Sequence, residues 1–108
     1  MSTPQRAIDL FQCAVSVMEH EPKSILAVGG PGAESTAALI RAFQFALSLM
    51  LQAIELADAA GDTNMARAVA ARAEKLHEHI KGLRVELAAW LELPLLLAQD
   101  EAERATKH

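Results

Sequence analysis

From Ser35 or Thr36 to about Ala60 the chain offers one narrow stripe of polar side chains. Arg41, Gln44, Ser48, Gln52, Glu55 and Asp58 recur every three or four positions, and nearly every other residue there is apolar. That spacing is one face of a helix, and a helix with so little polar surface must be covered on two sides. It belongs in the middle of a bundle, not at an edge. A membrane span is the rival reading, but the uncharged run from Ala42 to Ile54 is short for a bilayer and contains Gln44, Ser48 and Gln52. No transmembrane span is expected.

The rest of the chain agrees with a helical class. Its 108 residues suffice for one core and no more. Alanine is abundant, tyrosine is absent, and β-branched and aromatic residues are thin, so a sandwich or barrel is disfavoured. Hydrophobic residues make up 52%, too many for a disordered chain.

Helix one is expected from about Pro4 to Glu19. Ser2 or Thr3 caps it, Pro4 suits its first turn, and Ala7, Phe11, Ala14 and Met18 form its apolar stripe. Pro22 is expected to stop it, and residues 21 to 35, with Gly29, Gly30, Pro31 and Gly32, read as a long loop. These glycines do not make a phosphate cradle, because Ala-Glu-Ser-Thr follows where Gly-Lys-Ser/Thr is needed. Gly61-Asp62 is a tight stop and restart, with Gly61 in the left-handed position and Asp62 or Thr63 as the next cap. So short a connection makes helices two and three antiparallel neighbours.

In helix three, Val69, Leu76, Leu83 and Trp90 keep a seven-residue repeat, with Ala73, Ile80 and Leu87 interleaved. The repeat passes through Gly82, at a cost of about 1 kcal/mol, and carries the helix to about Glu92. Pro94 is expected to interrupt, leaving Leu95, Leu96, Leu97 and Ala98 as a short apolar turn before a charged end. A leucine run near a terminus is buried somewhere: it packs back on its own bundle or meets another chain. The expected fold is all-α, an antiparallel three-helix bundle with a long loop between helices 1 and 2 and an extra C-terminal helical segment. Residues 1–83 form the bundle, and residues 84–108 form the helix extension and the apolar and charged tail.

Net charge is −4, the wrong sign for a general nucleic-acid binder. Residues 64 to 84 run against that balance, with Arg67, Arg72, Lys75, Lys81 and Arg84 against Glu74 and Glu78. An acidic partner docking there and a solvated helix face explain this equally well. Cys13, the single cysteine, sits among Phe11, Ala14 and Val15 and reads as a small buried hydrophobe. The start of the chain lacks a signal-peptide pattern, so an intracellular, cytoplasmic location is expected. His77 and His79, beside Glu74 and Glu78, suggest a metal at first glance. At i, i+2 on a helix, however, two side chains diverge by about 200° and cannot share one ion. No catalytic arrangement, metal site or cofactor is expected, and the chain reads as a non-enzyme.

Three segments in order resemble a known module: Gln5 to Met18 (QRAIDLFQCAVSVM), Ala38 to Leu56 (ALIRAFQFALSLMLQAIEL) and Ala71 to Leu83 (ARAEKLHEHIKGL). Together they resemble the MIT domain, the three-helix microtubule-interacting and trafficking module. The likeness rests on Ala7 to Leu10 with Ala14, on Ala38, Leu39, Phe43, Ala46, Leu47, Met50, Leu51 and Ile54, and on Arg72 to Leu76 with Ile80. It covers about residues 5 to 83. A tetratricopeptide array would repeat at 34 residues, and this chain does not. The long loop, the short second connection and the apolar tail depart from the family pattern.

The resemblance implies an interaction module of membrane trafficking that binds C-terminal tail peptides of ESCRT-III proteins, or similar helical motifs, in an interhelical groove. It also implies peripheral recruitment to endosomal membranes. The peptide-binding residues it implies are Met50, Ala53, Ala66, Val69, Ala70, Ala73, Glu74 and His77. Ala70 and Ala71 stand where the family commonly has Leu and Asp, which removes a carboxylate that Glu74 is placed to replace. The alternative reading is a self-associating structural bundle, a homodimer through Leu87, Trp90, Leu91, Leu95 and Leu96.

Overall fold

The computed structural model describes residues 4–106 and consists of three helices, α1 (Gln5–Gly29), α2 (Ala33–Ala59) and α3 (Thr63–Thr106). No strand occurs among the described residues, and Ser2, Thr3, Lys107 and His108 lie outside them. The all-helical three-helix architecture is therefore as expected. Its first connection is not, nor is its C-terminal end.

Helix α1 runs straight through Pro22. Proline at this point removes one hydrogen bond and crowds the preceding turn, a penalty of about 3 kcal/mol in an isolated helix. Packing overrides it: Ile25, one turn further on, is half-buried against the core. The long loop expected over residues 21 to 35 is thus mostly helix, and the real connection is Gly30, Pro31 and Gly32. Gly30 supplies the break with φ of 63°, and its N–H donates to the Leu26 carbonyl at 2.9 Å.

Helix α2 begins at Ala33, so Ser35 and Thr36 are buried inside its first turn and do not cap it. The Thr36 hydroxyl donates back to the Gly32 carbonyl at 2.8 Å, which satisfies it without water. A Cβ on Gly29 would lie 2.6 Å from Ser35 Oγ. The last turn of α1 rests directly on the first turn of α2.

The second connection follows the sequence closely. Gly61 adopts φ of 78°, its N–H donates to the Asp58 carbonyl, and the Asp62 N–H donates to the Ala57 carbonyl at 2.9 Å. This pair of bonds is the Schellman arrangement. Asp62 then caps α3, its Oδ1 accepting from the Met65 N–H at 3.1 Å.

Helix α2 lies between the other two. It supplies Leu39, Ile40, Phe43, Ala46, Leu49, Met50 and Ala53 to the core, and α3 adds Val69, Ala73, Leu76, Ile80 and Leu83. By length and composition α2 is also apolar enough to cross a membrane. In this fold its apolar sides carry the packing against both neighbours. Helix α1 encloses only Ala7 and Ala14 completely, small residues that let two helix axes come close, and wedges Leu10, Phe11 and Val17 around them. Cys13 lies 100° around from Ala14 and is exposed, contrary to expectation, because this buried face is narrow. Helices α1 and α3 meet through side chains, the Arg72 guanidinium standing 5.5 Å over the Phe11 ring.

Helix α3 is the anomaly. Its 44 residues make a rod about 66 Å long, yet its buried residues end at Leu83. Pro94 is accommodated within it, so the expected extra segment is a continuation of one helix. The second half of that helix projects past the bundle. The radius of gyration is 19.7 Å, where a compact chain of this length would have about 13 Å.

Candidate functional site

Two features on α3 offer recognition surface. The first is a shallow groove of about 330 Å³ between α2 and α3, lined by Leu47, Leu51, Ile54, Ala70, Ala73, Glu74 and His77. Its geometry follows from side-chain size: Ala70 and Ala73 leave α3 low where Leu47, Leu51 and Ile54 stand high on α2. The groove runs on past Ser48 to Gln44 and Arg84, becoming more polar. Leu51 is 52% exposed, an unusual position for leucine on a helix that is otherwise well covered.

The eight residues expected to bind peptide divide in two. Ala70, Ala73, Glu74 and His77 come together along this groove. Met50, Ala53, Ala66 and Val69 are buried, the first two completely. They face inward because each continues the core stripe of its own helix, so they shape the groove from beneath. Leu47, Leu51 and Ile54 were named among the residues that carry the resemblance but not among the expected peptide-binding residues. Their signal was present, since the apolar part of α2 is wider than one neighbouring helix can cover.

The histidines separate as their spacing demands. His77 borders the groove, whereas the His79 ring meets Phe43 edge to face at 5.0 Å and 82°. Among the described residues no three His, Cys, Asp or Glu side chains gather as a metal set would. A larger hollow of about 610 Å³ lies at the α1–α2 turn, between Ser24, Ile25, Val28, Glu34 and Arg41. It is an open notch between helix ends.

The second feature is the projecting half of α3. Val85 is 72% exposed, Leu91 60% and Leu95 66%, with Leu93, Leu96 and Leu97 also exposed. Of the residues expected to self-associate, Leu91, Leu95 and Leu96 are open to solvent, while Trp90 is half-buried. Leu87 is partly covered by the end of the core. From Leu87 to Ala98 the only charged residue is Glu92, so this stretch is apolar on every side. Among the described residues, ion pairs on α3 join Lys81 to Glu78 at 3.2 Å and Arg104 to Asp100 at 3.0 Å; both are exposed and local, and they lie on either side of it.

Compared with protein-family models, curated proteins and solved structures, the chain matches none.

Proposed function

We propose that this chain is a non-enzymatic helical assembly module that self-associates through the projecting half of α3. One observation carries the reading: beyond Leu87 and Trp90, the leucines of the projecting half of α3 are exposed, with no cover from the described residues. Isolated helices of that length are marginal in water. A helix that is apolar all round belongs inside a larger assembly. Exposed apolar surface on this scale marks an interaction site.

Light scattering across a concentration series tests it. The expected result is a mass above 11.6 kDa that falls to one chain in Leu91→Glu/Leu95→Glu, with helicity of the bundle retained. A single-chain mass at every concentration would overturn the reading. Attachment of such a monomer to anionic vesicles would assign the leucine run to a lipid surface instead.

A second reading is favoured by the groove. Ala70, Ala73, Glu74 and His77 with Leu47, Leu51 and Ile54 form an apolar trough with polar rims, the shape that accepts an amphipathic helix. The short turn at Gly30 to Gly32 is closer to the MIT pattern than a long loop would be. On this reading the chain binds ESCRT-III tail peptides in a cytoplasmic trafficking role, recruited peripherally to endosomal membranes. Titration of the labelled chain with such peptides is the test, with saturable shifts at Ala70, Glu74 and His77 expected. Shifts confined to other surfaces, or none, would remove it.

A further inference from the structure

The two halves of α3 carry opposite charge. Residues 63–84 hold Arg67, Arg72, Lys75, Lys81 and Arg84 against Glu74 and Glu78, net +3. Residues 85–106, the projecting half, hold Glu86, Glu92, Asp100, Glu101 and Glu103 against Arg104, net −4. Each half is 22 residues long, so the helix is divided into two equal segments of opposite sign.

The groove edge of α3 also continues into the projecting half. Ala70 and His77 lie on the groove, and the same seven-residue spacing, drifting by about 20° per repeat, leads through Arg84 to Leu91 and Ala98. The interleaved positions lead through Lys81 and Ala88 to Leu95. One edge of one helix thus presents a groove at its start and exposed leucines further along, on a helix whose two halves differ in net charge.

Resting on the self-association reading above, we propose that the groove partner is a second copy of this chain, bound antiparallel about a two-fold axis near Arg84 and Val85. Each projecting half lies in the α2/α3 groove of the other copy. Leu91 and Leu95 fill the trough between Leu47, Leu51 and Ala70, and the acidic end reaches Arg67. The same patch serves both copies, as a two-fold interface requires. Two features favour this over simple pairing of the projecting halves. Pairing them with each other would bring two net-negative segments together. It would also cover each apolar helix from one side, whereas the groove contacts it with two helices at once.

Disulfide trapping at defined positions tests the arrangement. In the full chain carrying Cys13→Ser, the substitutions Ala70→Cys and Ala98→Cys are added, and the protein is equilibrated in a glutathione buffer. These positions are 28 residues apart on one continuous helix, about 42 Å. They cannot bridge within a chain, because a disulfide needs Cα atoms closer than about 7 Å. The expected product is a covalent dimer, whereas Cys13→Ser/Leu93→Cys stays uncrosslinked because Leu93 lies on the far side of α3.

The reverse pattern, with Leu93→Cys bridged and the Ala70/Ala98 pair unbridged, would overturn the antiparallel arrangement and leave self-association standing. Two unbridged variants with a dimeric mass by light scattering would do the same. Two unbridged variants with a single-chain mass would overturn both readings. Should the cysteine variant fail to fold, charge exchange decides. Arg67→Glu and Glu103→Lys each weaken the dimer on the order of tenfold, and an equimolar mixture of the two regains the unsubstituted affinity. Failure of the mixture to regain it would overturn the arrangement.

Discussion

At the scale of single residues, the best-determined point is the joint between α2 and α3. Gly61 holds a left-handed backbone and Asp62 caps the next helix, so each answers a demand that few residue types meet. Asp62→Ala is expected to cost about 1 kcal/mol and lower the thermal midpoint by several degrees, as followed by circular dichroism. Gly82 is the opposite case. It sits mid-helix in α3, and a Cβ there would meet nothing within 4 Å. Gly82→Ala is therefore expected to stabilise the chain by about 1 kcal/mol in the same measurement. Both glycines and the cap were legible in the sequence. The exposure of Cys13 was not, because local apolar neighbours do not reveal how narrow a helix face the core will enclose.

At the scale of elements, the two internal prolines separate what helix propensity requires from what packing allows. Pro22 lies in a helix whose next turn places Ile25 against α2, so burial compensates for the missing hydrogen bond. Pro94 lies among exposed leucines, where no intramolecular contact compensates. The first half of α3 is held by Val69, Leu76, Ile80 and Leu83, whereas the second half adds to the core only the partly covered Leu87 among the described residues. Hydrogen exchange on dilute, single-chain protein is expected to show slow amides from Val69 to Leu83 and fast ones beyond Ala88. Under concentrated conditions the second group is expected to slow. Equal protection of both groups in dilute solution would show that the projecting half is stable alone.

At the scale of the whole molecule, an extent of 77 Å by 24 Å by 13 Å is that of a short bundle with a lever attached. Such a shape leaves more apolar surface in water than one core of this size normally does. The proposed assembly would remove that surface and couple folding to concentration. The thermal midpoint is expected to rise with protein concentration, since partners that bind only the folded chain stabilise it by mass action. Leu91→Glu/Leu95→Glu is expected to abolish that rise while leaving the dilute midpoint almost unchanged. A midpoint independent of concentration in the unsubstituted chain would contradict assembly through α3.

The sequence by itself determined the helical class, the central place of α2, the α2–α3 joint and the stripe that buries α3 as far as Leu83. Each of these follows from local rules, whether the periodicity of apolar residues or the backbone needs of a turn. Four of the residues that the resemblance implies for peptide binding, Ala70, Ala73, Glu74 and His77, lie together on the α2/α3 groove because they share one edge of one helix. Only the tertiary structure decided that α1 continues through Pro22, that Ser35 and Thr36 are buried, that Leu47, Leu51 and Ile54 complete the groove, and that α3 projects as a single rod. Those outcomes depend on which surfaces of separate helices meet. A contact between residues distant in sequence can outweigh a local penalty of a few kcal/mol, and no local pattern records it.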